Sequence, residues 1–185
     1  MKSLLIIFSF ISVLSYGQEF LLTQDNFKSK SDDSKNFVVI DLPDKTQKEL
    51  FDKTKMHIHS NYSNLKGDGY NEVEYSQIKI VYTTIIDTGR RLLGMSVTKP
   101  YISAYEIGFK DGKVMIKPQF VEINNDDKYN NKIYLTSATS LMGKSIFKKN
   151  GSIQLKELHK AAEDSTNEFV EKLIKSLKED STSDW

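Results

Sequence analysis

Three histidines, one pair of adjacent arginines and nine tyrosines are the side chains from which this 185-residue sequence could build a site, and it has no cysteine. The missing thiols exclude disulfides, thiolate metal sites and a cysteine nucleophile. His57 and His59 stand two apart. On a helix that spacing turns the rings about 200° from each other, so they cannot share one ion. They would converge only in a strand, and their flanks read as helix. His159 is remote in sequence, so no metal is expected. Met142-Gly143-Lys144-Ser145 shares only GKS with a phosphate loop, whose first glycine would stand at Ala138. That reading is rejected. No serine or aspartate is framed with a histidine for nucleophilic work, and Asp32-Asp33 and Asp126-Asp127 read as solvating charge. No catalytic residue and no cofactor is assigned.

Two groups remain as ligand-binding candidates. Arg90 and Arg91 are the only arginines. Side by side in a turn, their planar forks suit a carboxylate or a phosphate, against the plainer reading of solvated turn charges. Tyr75, Tyr82 and Tyr101 lead the tyrosines that could line a sugar- or peptide-binding surface, against the plainer reading that aromatic residues suit strands. Lys144, Lys148 and Lys149 beside Phe147 are read as a solvated loop rather than a nucleic-acid patch. A minor-groove binder needs a basic surface and apolar wedges.

The elements that must position these residues follow from periodicity. Residues 37–42 (FVVIDL) form a β-branched run of strand length, stopped by Pro43. Asp44 is expected as the N-cap of the next helix, with Gln47 completing a capping box. Leu50, Phe51, Thr54 and Ile58 share one side of that helix, which should run to about Ser60. A strand is expected over 78–86, then a turn at 87–90, then a strand over 91–98 closed by Lys99-Pro100. Asp111-Gly112 predicts a two-residue type I′ hairpin turn. That turn sets Lys110 opposite Lys113, Phe109 opposite Val114, Ile107 opposite Ile116 and Tyr105 opposite Pro118. One face then carries Tyr105, Ile107, Phe109, Val114 and Ile116, while the other carries Glu106, Lys110, Lys113 and Lys117. A sheet of that kind is covered on one side only, here by the helices. Pro118 should end the strand or force a bulge. Residues 124–151 are expected to be loop-rich, with a short strand over 132–136 and a helical turn over 140–147. From 152 to 178 the apolar residues Leu155, Leu158, Ala162, Phe169, Leu173 and Leu177 recur at helical spacing.

The first 17 residues read as a signal peptide. Lys2 gives a positive start, residues 4–14 (LLIIFSFISVL) a short apolar core, and Ser15 and Gly17 the small residues before a cut. The core is shorter than the roughly 20 residues of a membrane span. Cleavage after Gly17 removes Lys2 and balances the charges, since the whole sequence has 26 basic and 25 acidic residues. Such a chain has no global field to draw nucleic acid or an anionic membrane. Residues 18–36 read as a polar leader, 37–180 as a single α+β domain with its insertion at 124–151, and 181–185 as a tail.

The order β-α-β-β-β-β-α is not the alternation of a parallel fold. Four features together resemble a family of uncharacterised exported bacterial proteins, a domain of unknown function with a TATA-binding-protein-like fold. They are the N-terminal segment ending YGQ, the stretch FVVIDLPDKTQKELFDKTKMHI, the hairpin YEIGFKDGKVMIK, and the amphipathic terminal helix with its SDW tail. The resemblance covers about 37–185. It implies a curved antiparallel sheet gripped on one face by two helices, and it brings no activity and no functional residues. The expectation is a soluble protein of the periplasm or the exterior. It would be a non-catalytic envelope module binding a protein, a peptide or a small apolar ligand, with no nucleic acid and no stable membrane insertion. A hydrolase acting on envelope material and a self-associating structural accessory are the alternatives.

Overall fold

The computed structural model describes residues 19–62, 65–126, 131–136 and 144–179. The expected signal segment 1–17 and tail 181–185, together with 127–130 and 137–143 of the loop-rich insertion, lie outside the described residues.

A seven-stranded sheet forms the body. Its path is β4 (Leu65–Val73), β5 (Gln77–Leu92), β6 (Met95–Lys110), β7 (Lys113–Asp126), β8 (Asn131–Thr136) and β9 (Lys144–Phe147). β3 (Val38–Asp41) adds to the free side of β7. All pairs are antiparallel except β8 with β9, which is parallel. α1 (Gln47–Asn61) and α2 (Lys156–Lys178) carry the cover, their buried stripes being Leu50, Phe51, Thr54 and Ile58, and Leu158, Ala162, Thr166, Phe169, Val170, Leu173, Ile174 and Leu177. The opposite face carries spaced ion pairs such as Lys113 with Asp41 and Lys117 with Glu106. This is the α+β, one-face-covered sheet that the alternation in the hairpin predicts.

The β6–β7 register is the expected one, from Lys110 opposite Lys113 to Tyr105 opposite Pro118. Its turn is not type I′, because Gly112 alone takes positive φ (+69°). Asp111 is spent otherwise: its carboxylate accepts the Gln47 N–H at 2.8 Å, and the Gly112 N–H donates to the Lys45 carbonyl at 2.9 Å. The turn thus braces the start of α1. The cap of that helix is Thr46 rather than Asp44, with Glu49 closing the capping box.

The turn expected at 87–90 is instead a bulge within β5, where the register with β6 shifts between Asp87 and Arg91. The Asp87 carboxylate accepts the Gly89 N–H at 2.8 Å, and the Thr88 hydroxyl donates to the Val97 carbonyl at 2.7 Å. The chain reverses later, at Leu93-Gly94, and there both residues have positive φ (51° and 82°). Neither proline stops its strand. Pro100 lies on β6 before β7 joins at Tyr101, and Pro118 lies on β7 between the stretches paired with β3 and β8. Each therefore sits on a local edge, where no ladder bond is lost. The expected bulge falls just beyond Pro118, where the register shifts.

Residues 18–36, expected as a polar leader, contain a hairpin of β1 (Phe20–Thr23) and β2 (Asn26–Ser29). Phe20, Leu22 and Phe27 alternate into the core. The polar residues between them masked that alternation. The hairpin is held by side chains of α2 one turn apart. Asn167 accepts the Phe20 N–H at 2.8 Å and donates to the Phe20 carbonyl at 3.0 Å. Glu163 accepts the Leu22 N–H at 2.8 Å, and the His159 Nε2–H donates to the Leu22 carbonyl at 2.8 Å. On the other side, the Asn26 amide exchanges two hydrogen bonds with the backbone of Phe120, inside the stretch that β3 and β8 leave unpaired. The helical turn expected over 140–147 is replaced, in its described part, by β9.

Candidate functional site

Rings gather where α2 crosses β5 and β6. The Phe169 ring stacks on Tyr105 at 3.8 Å, with Tyr62 and Tyr82 at 5.1 and 5.7 Å, and Tyr62 lies 5.0 Å from Tyr82. The sequence arranges this simply. Tyr82 and Tyr105 are on the inward phase of their strands, Phe169 is central in the α2 stripe, and Tyr62 caps the end of α1. Burial pushes the Tyr62 hydroxyl up to about 12 and raises that of Tyr82 further. These phenols are neutral at physiological pH and can serve as hydrogen-bonding groups.

Beside this cluster a cleft of about 240 Å³ opens between the last turn of α1, β5 and the middle of α2. Tyr62, Tyr82 and Phe169 supply its rings, while Asn61, Thr84, Ser165, Glu168 and Lys172 supply polar groups. Glu168 is paired with Lys172 at 2.6 Å. His57 stands on the neighbouring turn of α1, its Nε2 buried and without a hydrogen-bond partner. Burial first, then the Lys172 ammonium, lowers its pKa and favours the neutral ring. The ring faces and the polar groups of the rim are placed to contact a molecule with an apolar face and polar edges.

The structure disperses the five candidate residues. Tyr82 borders the cleft. Tyr101 is fully buried, its hydroxyl sharing a 3.1 Å hydrogen bond with that of Thr166. Tyr75 occupies the β4–β5 turn at positive φ (57°), its ring edge-on to Phe51 at 5.5 Å and beneath the Lys48 ammonium. Arg90 falls within the bulge of β5, and Arg91 stands at its far end, where pairing with β6 resumes opposite Ser96. Arg91 is paired with Asp87 at 3.1 Å. His57 and His59 diverge as the helical spacing predicts: His57 packs against Tyr62 at 5.8 Å, and His59 lies exposed against Tyr70 at 4.9 Å. Among the described residues no group of three or more metal-ligating side chains forms. Tyr62, one of the tyrosines that the sequence offers for a binding surface, borders the cleft, whereas the sequence does not single out Ser165, Glu168 and Lys172 as site residues. The last three are the polar neighbours of Phe169 along α2, a signal that helical phase alone would carry once the partner strand is known.

Two solved structures share this architecture. A DUF4468 family protein from Bacteroides ovatus superposes with a TM-score of 0.60 at 12% identity, covering 79% of this chain and 86% of that one. A TBP-like protein from Parabacteroides distasonis gives 0.56 at 12% identity, over 77% of this chain and 90% of the other. At that identity the likeness is one of fold, and it matches the TATA-binding-protein-like sheet that the sequence resembles. No family model and no curated protein matches the chain.

Proposed function

We propose that the chain is an exported, non-catalytic binding module of the bacterial cell envelope, and that the cleft between α1, β5 and α2 is where it binds. The carrying observation is an open, ring-lined recess whose acid, Glu168, is tied to Lys172 instead of facing a nucleophile. At about 240 Å³ the recess lies below the range of roughly 300–1,000 Å³ for drug-sized ligands. It suits a single ring with an apolar face and polar edges, such as one sugar unit or one aromatic side chain of a peptide. Export is supported by the charge, length and small-residue order of residues 1–17.

Titration with a peptidoglycan disaccharide and with a phenylalanine-ended dipeptide tests the cleft. One of them should shift the amide resonances of Tyr82, Thr84 and Phe169 saturably. Tyr62→Ala should weaken that binding about tenfold, as expected for loss of one ring contact, while the sheet resonances stay in place. Saturation that survives Tyr62→Ala unchanged, or no saturation by either probe, would remove the cleft as the site.

A further inference from the structure

Beyond Tyr82 on β5 and before Tyr101 on β6, neither β4 nor β7 accompanies the central hairpin, so residues 83–100 leave the sheet as a two-stranded ribbon. Its root is fixed. Thr88 is buried, and Gly89 passes so near the Glu157 side chain at the start of α2 that a Cβ there would meet it at 3.0 Å. From Gly89 to Ser96 every residue is exposed. The strand rise of about 3.3 Å per residue carries Leu93 on the order of 13 Å past Gly89. A bare ribbon of this kind is marginal in water, yet its end is apolar: Leu92, Leu93 and Met95 are 65%, 92% and 67% exposed.

Leu93 is the telling residue. It holds a left-handed conformation (φ 51°) in a turn that glycine or asparagine fills without strain. Its side chain touches almost nothing of the fold in return. Strain maintained at an exposed apolar residue points to use outside the fold. The charges nearest it are cationic, with Arg91 tied to Asp87 at 3.1 Å. Between Thr88 and Thr98 the ionisable side chains are Arg90 and Arg91, with no acid. Among the described residues the Arg90 guanidinium has no ion pair.

We propose that this ribbon tip docks the protein reversibly on an anionic phospholipid surface. Leu92, Leu93 and Met95 sink into the boundary between headgroups and acyl chains, and Arg90 and Arg91 rest against lipid phosphates. Two features favour lipid over a protein partner. The tip is convex and small, whereas a stable protein interface needs about 800 Å² from each side; lipid closes around any shape. The two arginines are also held differently: Arg91 is paired with Asp87, while Arg90, inside the bulge, has no ion pair among the described residues. An unpaired cation just behind exposed apolar side chains suits a phosphate headgroup above an acyl layer. Such docking is peripheral, and no described helix is long and apolar enough to cross a membrane. The proposal is independent of what occupies the cleft.

The absence of cysteine allows a single polarity-sensitive dye to be placed at will. On the full chain, a dye at Leu93→Cys, and at Met95→Cys with Leu93 intact, should shift to the blue on phosphatidylglycerol vesicles. A dye at Met56→Cys on α1 should not, which separates the tip from adhesion through residues 1–17. Phosphatidylcholine should give little shift, and Arg90→Gln and Arg91→Gln should each lower partitioning about fivefold. Leu93→Asn should raise the melting temperature by relieving the turn while lowering vesicle binding, which a purely structural leucine would not do. Tip dyes that stay in water on protein-loaded vesicles would overturn the proposal. So would equal shifts at 56 and 93, or binding unchanged in both arginine variants. A tip shift without vesicles, growing with protein concentration, would assign the tip to a second copy of the chain instead.

Discussion

His57 joins α1 to the rim of the cleft, and its half-buried ring makes stability depend on pH. Burial and the Lys172 ammonium lower its pKa below the ordinary 6.5. The unfolded chain therefore binds a proton at a pH where the folded one does not. Stability from this group is complete above about pH 6.5 and is lost as pH falls from there through the folded-state value. Urea midpoints taken from about pH 7.5 down to about pH 5 should fall more steeply for the native sequence than for His57→Gln. Equal slopes would mean that the ring is solvated in the folded state. At this scale the sequence was legible for what histidines could not do, because helical geometry alone separates His57 from His59. It was not legible for Tyr101. Strand alternation says that a tyrosine faces inward, not that a threonine 65 residues away will receive its hydroxyl.

At the scale of elements, the β1–β2 hairpin shows how little hydrophobic alternation reveals when the strands are four residues long. Its edge is satisfied by three polar side chains of α2, at 159, 163 and 167, in place of a neighbouring strand. Asn167→Ala removes two of those hydrogen bonds and leaves the backbone of Phe20 unpartnered. The expected cost is about 1–3 kcal/mol. Amide exchange should quicken at Phe20 and Leu22 while β5 and β6 keep their protection. Uniform quickening across the sheet would show that the hairpin is not a separate unit. The long helices and the β6–β7 register were readable because their periodic signals run over many residues. The two turns were exchanged for a physical reason. Asp-Gly is a good type I′ pair, but Asp111 is needed as a brace for α1, and the type I′ geometry falls on Leu93-Gly94, where local preference opposes it. Ladder energy over the 16-residue strands β5 and β6 outweighs that preference and carries both strands past the predicted turn and through Pro100.

Across the whole molecule, the core includes residues from both sides of the expected domain boundary at 37. Phe20, Leu22 and Phe27 are each almost fully buried. At about 1.5–3 kcal/mol per side chain their burial contributes about 5–9 kcal/mol, comparable to the 5–15 kcal/mol by which a domain is stable at all. A chain starting at residue 19 should therefore melt cooperatively, whereas one starting at residue 37 should fail to do so and should aggregate. Matching melting curves for the two would show that the hairpin is dispensable. The curved sheet and its two covering helices were foreseeable from the pattern of elements. The cleft was not, because its walls come from Tyr62, Tyr82 and Phe169, which meet only through tertiary packing.

The clasp between β1 and α2 also sets the order of events in time. Its hydrogen bonds link positions 141 and 147 residues apart, among the most distant pairings the chain makes. Contacts of such separation form late, after the loop between them has been closed. Until α2 has emerged, the edge of β1 has no partner and Phe20 has no lid. A chain gripped at either end, by a ribosome or in a narrow pore, therefore lacks its final lock. Folding is completed on release, when the first described strand and the last helix meet.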